Sequence, residues 1–456
     1  KPKMFKSLKN TLSSRIVVIT LIALSISIPL GMIKGVVSER NYYYNNVINE
    51  ISALWGSEQT ITGPLLVVPF IEKHETEEQV KNDVGKIETK LKKRYIRKHA
   101  VILPDKLALN TTLSEQYRKR GIYNSLVYSS NLELGASFYK VDLSLLSNHI
   151  YRIAWEEAEL VIGLSDTKAI DKIHEISLNG KTLDVAAGVG KSNLVSSGFS
   201  ARVPKSLVNG QNLELSIALD MNGSHGFRFT PVGETTVATI KSTWPHPKFA
   251  GQLVPDRHQI DESGFEAHWE IPHLARNYPQ MWVDEHQQVN INELVTGVDL
   301  FEPVFIYSKI TRAVKYGLLF VGLTFITFFL FEISIKSALH YVQYGLVGIA
   351  LSLFYLLLLS LSEHISFAWA YLFSAFTCIT MISGYVGHAL RNNAKGLLLF
   401  SILSLLFGLI YTLLRLEDFA LLTGTVLLLA ALAGLMFITR DINHAPLENE
   451  ASAAVS

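Results

Sequence analysis

The chain of 456 residues has one cysteine, Cys378, and it falls inside an apolar run. No intrachain disulfide can form, and no CxxC metal or redox centre exists. An excess of either charge sign is also missing, since 41 Lys and Arg stand against 40 Asp and Glu. A net charge of +1 excludes broad attraction to nucleic acid, and no helix-turn-helix or RNA-binding signature is present. There is no Walker A loop or dinucleotide fingerprint, so no cofactor is expected. Without a GxSxG element a serine nucleophile has no support either. Charge is absent, finally, from several long stretches, and these organise what is there.

The stretch from Thr311 to His364 holds two apolar runs, roughly Val314 to Phe331 and Tyr344 to Leu361, joined by a polar link with Lys336 and His340. Each reaches the ~17 to 25 residues that cross a bilayer as a helix. Lys315, Glu332, Glu363 and His364 fall at or beyond the run ends, so the spans bury almost no charge, as an apolar solvent requires. Ile16 to Ile33 is a further run, preceded by Lys1, Lys3, Lys6, Lys9 and Arg15. It exceeds the ~7 to 15 apolar residues of a signal peptide and has no A-x-A-like site after it, so an uncleaved anchor is expected. Runs at about Phe367 to Val386, Leu397 to Leu414 and Phe419 to Ile438 bring the expected spans to six. The positive-inside rule places both termini in the cytoplasm with Lys336, Arg391, Lys395 and Arg440, and Arg415 in a short outer loop. Lys309, Arg312 and Lys315 depart from the rule, but they follow a long translocated segment, which is largely exempt.

Between about Gly63 and Ile310 the period changes to two. Leu213, Leu215, Ile217 and Leu219 alternate with mostly polar residues, as do Phe265, Ala267, Trp269 and Ile271. Half-buried strands are expected there. Asn179-Gly180 and Asn222-Gly223 read as hairpin turns. Residues 188–212, rich in Gly, Ser and Asn, read as a long loop or as the seam between two β lobes. Asn41 to Glu58 carries Val47, Ile51, Leu54 and Trp55 at helical spacing, a short amphipathic continuation of the anchor. The expected architecture is an α-helical polytopic membrane bundle of about six spans with a large, mainly antiparallel β extracytoplasmic domain of sandwich type. Its parts are a cytoplasmic basic segment (1–15), an anchor (16–36), a periplasmic β-rich domain (37–312), a five-helix membrane domain (313–440) and a cytoplasmic tail (441–456).

Several ordered motifs carry a resemblance. Gly63-Pro64-Leu65-Leu66, Arg120-Gly121-Ile122-Tyr123, Trp155 to Asp166, Trp244-Pro245-His246-Pro247 with the following GQLVP, and Ser263 to Trp269, together with the membrane hairpin, resemble the CreD family of bacterial inner-membrane proteins. The resemblance covers nearly the whole chain. It departs most near Lys90 and in the tail after Asn443. It implies a Gram-negative inner-membrane location and an association with a two-component regulon, colicin tolerance and envelope or β-lactam stress. It carries over no enzymatic activity.

Candidate chemistry is sparse. Thr89 to His99 holds Lys90, Lys92, Lys93, Arg94, Arg97 and Lys98 without an acidic residue. Such a cluster attracts anionic lipid head groups or anionic envelope polymers. The plainer reading is a solvated strand edge on which Lys blocks unwanted pairing. His246, His258, His268 and His273 lie close in sequence, but their spacing matches no zinc pattern, and two prolines explain the Trp244 to Pro247 corner. Glu332, Glu363 and His364 are the ionisable groups nearest the membrane core. A carboxylate beside an imidazole is a candidate proton pair, against which stands the plainer reading of interfacial residues that end helices. By the expected topology Glu332 is at the inner end of one span, and Glu363 and His364 at the outer end of the next. Glu156 and Glu157, adjacent on an expected strand, face opposite ways and do not form a hydrolase pair. The expectation is a non-enzymatic envelope protein that acts through interaction, its partners being the bilayer and an envelope protein or anionic polymer. A transporter or channel with a ligand-delivering periplasmic domain is the alternative.

Overall fold

In the computed structural model the described residues are 12–81, 87–139, 141–190, 194–208, 212–284, 289–300, 306–335 and 340–415, with six positions between 422 and 436. The chain divides into two units, one formed by Lys1–Tyr44 with Val304–Ser456 and the other by Asn45–Pro303.

The first unit is helical. α1 (Leu12–Ser25) and α2 (Ser27–Trp55) follow one another with a break at Ile26, although Ile26 N–H still donates to the Ile22 carbonyl at 3.2 Å. The last residues of α2, Asn45 to Trp55, belong to the second unit. In that unit β1 (Gln59–Lys81), β2 (Ile87–Ile102), β3 (Lys106–Arg120), β4 (Tyr123–Phe138), β5 (Ile150–Ile153) and β6 (Glu159–Leu164) come first. They are followed by β7 (Ile170–Leu178), β8 (Lys181–Thr182), β9 (Val185–Ala187), β10 (Gly198–Arg202), the short α3 (Lys205–Val208) and β11 (Leu213–Ser224). β12 (Gly226–Thr230), β13 (Thr235–Ser242), β14 (Pro247–Gly251), β15 (Arg257–Asp261), β16 (Gly264–Pro272), β17 (Met281–Val283) and β18 (Thr296–Leu300) complete it. The chain then returns to the first unit as α4 (Ile306–Lys315), α5 (Gly317–Ile335), α6 (Tyr341–Ser362), α7 (Phe367–Ala389) and α8 (Asn393–Arg415).

The strands form two large mixed sheets. One runs β14-β18-β12-β1-β6-β10-β9, with β2 and β5 also on β1 and β17 on β2; the other runs β15-β16-β13-β3-β4-β11-β7-β8. Among the described residues the parallel pairs are β1 with β12 and β3 with β13. The alternation read from sequence is realised: Leu213, Leu215, Ile217, Leu219, Phe265, Ala267, Trp269 and Ile271 are all buried. Both sheets feed one apolar cluster, and Phe229 of β12 meets Trp269 of β16 edge to face at 5.8 Å. Filling a shared core with such large side chains is the main stabilising term available to a unit without disulfides.

Two turn expectations fare differently. Asn179 and Gly180 have φ of 49° and 73° and close the β7–β8 hairpin, as a two-residue turn with both positions left-handed should. Asn222-Gly223 is not a turn. β11 runs straight through it to Ser224, and the chain bends at His225 into β12, which belongs to the other sheet. Gly223 is there for clearance, since a Cβ on it would lie 2.3 Å from the Tyr128 ring. Residues 188–212 are not one loop either, because β10 within them pairs with both β6 and β9.

In the helical unit four helices are long and apolar enough to cross a membrane: Arg15–Trp55, Tyr341–Ser362, Phe367–Ala389 and Asn393–Thr412. A fifth candidate is the pair Ile306–Lys315 and Gly317–Phe329, bent by 47°. The span expected from Val314 is therefore part of a broken element rather than one straight helix. α4 carries Lys309, Arg312 and Lys315 and is amphipathic, whereas α5 is almost wholly apolar, and the bend falls between them at Tyr316. The sixth expected run, Phe419 to Ile438, lies outside the described residues apart from six helical positions, as does Lys336.

Candidate functional site

The basic segment lies on β2, in a ribbon that leaves the sheet. β5 accompanies β1 only as far as Glu72, opposite Ile150, and Lys73 N–H then donates to the His149 carbonyl at 2.9 Å. From His74 to Lys81, β1 is paired with β2 alone among the described residues, and β17 meets β2 only at Ala100, Val101 and Ile102. Glu75 to Gln79 and Leu91 to Tyr95 are exposed on both faces of this arm.

Register places an acidic strand against the basic one. Glu75 lies opposite Lys93 and Glu78 opposite Lys90. Lys92 is 3.1 Å from Glu78, Lys98 is 2.9 Å from Glu72, and Arg97 pairs with Glu157. Lys73, 2.6 Å away, occupies Glu75. Arg94 has no ion-pair partner among the described residues.

The foot of the arm is a buried ion cluster that sequence reading missed. Glu72 is only 4% exposed and accepts hydrogen bonds from Lys98, from His74 at 2.9 Å and from Ser147. Burial pushes the carboxyl up, but these hydrogen bonds and the Lys98 charge more than offset it and hold the group at about 2. No alternation marked it: every position from Ile61 to Phe70 is buried, as are Ala100, Val101 and Ile102, so period two does not single out the face that carries Glu72 and Lys98 inward.

The two membrane carboxylates each have an arginine and a tyrosine. Glu332, 5% exposed, sits 2.5 Å from Arg15 and accepts from the Tyr344 hydroxyl at 2.9 Å. Glu363, at the C-terminal end of α6, accepts from the Tyr307 hydroxyl at 3.0 Å, with Arg40 Nε at 3.9 Å. Tyr344 and Glu363 lie near opposite ends of α6, about 28 Å apart at helical rise. His364 is exposed and does not share a hydrogen bond with Glu363, so the candidate carboxylate-imidazole pair is not assembled.

Nor do the four histidines come together. His246 lies against Trp244 at 5.8 Å and His258 against Phe249 at 5.1 Å, and His268 is 3.2 Å from the Thr239 hydroxyl. Among the described residues no three His, Cys, Asp or Glu side chains converge on a point. Glu156 and Glu157 sit on a 3-10 turn, Trp155–Glu157, rather than on the expected strand. Each has its own arginine, Arg152 and Arg97 respectively.

Within the bundle the Tyr371 hydroxyl donates to the Phe407 carbonyl at 2.7 Å, and the Cys378 thiol is 3.5 Å from the Ala350 carbonyl. The buried hydroxyls of Tyr355, Ser374 and Ser383 have no partner among the described residues. α7 and α8 enclose a groove of about 460 Å³ lined by Trp369, Tyr371, Phe376, Phe400, Phe407 and Tyr411.

Comparison with known proteins places this geometry. The profile of the family described as "Inner membrane protein CreD" matches residues 11–445. The chain belongs to the CreD family. It is 33% identical over 417 residues to the Inner membrane protein CreD of Escherichia coli (strain K12), covering 91% of this chain and 90% of that one. Family membership and the apolar helices together make it a multi-pass inner-membrane protein. Among solved structures, an M1 zinc metallopeptidase from Deinococcus radiodurans matches at 9% identity over 43% of this chain. The match spans 42% of the metallopeptidase with a TM-score of 0.19, too low to bear on fold or chemistry.

Proposed function

We propose that this CreD-family protein is a non-enzymatic component of the Gram-negative envelope. Its β unit, a sandwich on the periplasmic side, binds an envelope protein or an anionic envelope polymer in support of envelope integrity or the stress response. Six spans anchor it, with both termini in the cytoplasm. Membership of a two-component regulon and colicin tolerance, which the family resemblance implied, belong to the same reading. The observation that carries it is the arm: a ribbon exposed on both faces, anchored on the buried Glu72–Lys98 pair, is built for contact rather than for core. No catalytic constellation competes with it among the described residues.

Photoreactive residues at the positions of Lys93, His246 and His268, activated in cells, test this reading. A reproducible adduct confined to one patch supports it. Absence of any specific adduct from abundant, folded protein transfers the assignment to a transporter or channel. That second reading is favoured by one observation, the unpartnered hydroxyls of Tyr355, Ser374 and Ser383 inside the bundle.

A further inference from the structure

We propose that the outer edge of β2, from Lys90 to Arg97, docks an extended acidic segment of another protein, which joins the arm as a third strand. The proposal rests on the interaction reading above and names the kind of partner.

Three observations carry it. First, the edge is open. Beyond Ala100 the described part of β2 has β1 on one side and no described strand on the other, so a row of main-chain donors and acceptors faces outward. A two-stranded ribbon is marginal in water, and an added strand completes it through main-chain hydrogen bonds. Second, the track is already laid. β17 pairs with β2 at Ala100 to Ile102, and Asp284 N–H donates to the His99 carbonyl at 3.0 Å, so a strand arriving at Arg97 continues an existing ladder.

Third, charge selects the occupant. Lys92 and Arg94 project from one face of the edge, and Lys93 and Arg97 from the other. Lys92 is 68% exposed and Arg94 has no ion pair among the described residues, so Asp or Glu on a neighbouring strand would find cations opposite. The Lys93 face adds apolar surface: Leu91, Tyr95 and Tyr151 are 62%, 53% and 62% exposed, and the two tyrosine rings meet at 5.2 Å. The fitting segment therefore alternates acidic and apolar side chains. A second copy fits less well. Two-fold pairing of arms sets β2 against β2 or the acidic β1 against itself, like charge on like, and β1-on-β2 pairing is heterologous, so it makes a ring or a filament and not a two-fold dimer.

The test uses the full-length protein in nanodiscs and a fluorescein-labelled peptide of alternating Glu and Val, read by fluorescence anisotropy. Binding is expected to weaken about tenfold or more in Lys92→Glu/Arg94→Glu. It should be unchanged in Lys181→Glu, at an exposed position on β8. Of two peptides methylated at alternate backbone nitrogens, one at the Glu and one at the Val positions, the one whose methylated row faces β2 should bind as weakly, because strand addition needs those N–H groups. The substituted and control positions are all exposed, and an unchanged thermal transition shows that the variants fold. Binding by both methylated peptides equal to that of the parent would mean adsorption of a polyanion and would overturn the proposal. Unchanged binding by the double variant would overturn it too, as would self-association that the double variant abolishes, which would give the edge to a second copy. Crosslinks in cells at His246 or His268 with no peptide binding would sink this proposal and leave the interaction reading standing.

Discussion

Glu72 and Lys98 turn inward from neighbouring strands at positions where an apolar side chain would be ordinary. A buried pair of this kind is held by its completeness, since removing one partner strands the other charge. Lys98→Met is expected to cost about 3 to 5 kcal/mol by that mechanism. For Glu72→Gln, the fall of the carboxyl from 4.5 to about 2 on folding corresponds to about 3 kcal/mol near neutral pH. Because the folded value is the lower one, that stability is fully present above pH 4.5 and is lost as pH falls toward 2. Urea unfolding followed by tryptophan fluorescence should show wild type and Glu72→Gln well separated at pH 7 and converging across that window. In the helical unit, Arg15→Ala leaves Glu332 buried without its cation and should lower stability by about 3 kcal/mol. The exchange Arg15→Glu with Glu332→Arg should recover much of it, whereas either reversal alone should not. Glu332 was visible in the sequence as a charge at a run end. Its partner was not, because nothing in one chain's periodicity tells which of Arg15 and the other cations will meet it.

At the scale of elements, the strands that alternate cleanly were legible, and so were the long apolar helices. What was hidden depended on packing between elements. Asn222-Gly223 has turn chemistry but serves as clearance for Tyr128 from a neighbouring strand, and only the strand pairing reveals that. The α4–α5 bend was hidden because Val314 and Lys315 look like the start of a run, while the amphipathic turns before them claim those residues for a separate helix. Gly264, at the start of β16, makes a sharp test of such backbone constraint. Its φ is +136° and a Cβ would lie 2.0 Å from the Ser242 carbonyl oxygen. Gly264→Ala should cost about 2 kcal/mol or more and loosen the β15–β16 hairpin. Faster hydrogen exchange in Arg257–Pro272 and in the facing β13 would register it, and an unchanged exchange pattern would contradict the argument.

At the scale of the whole molecule, the order of anchor, β unit and bundle was read from the lengths of apolar runs, because a bilayer imposes its own ruler. The proposed orientation predicts a pattern of labelling. With Cys378 buried and silent, cysteines placed at His340 or Arg391 should react with an impermeant maleimide only after the cells are opened. Cysteines at Lys181 or His364 should react from outside. The inverse pattern would reverse the topology. The Arg15–Glu332 and Arg40–Glu363 pairs have a mechanical consequence as well. They grip α1 and α2 at points about 37 Å apart along the rise, on either side of the break at Ile26. A rod pinned near both ends can neither slide like a piston nor turn like a screw without breaking a pair. The compliant motion left to it is flexing between the two grips, and any push that travels through these helices would travel as a change of bend.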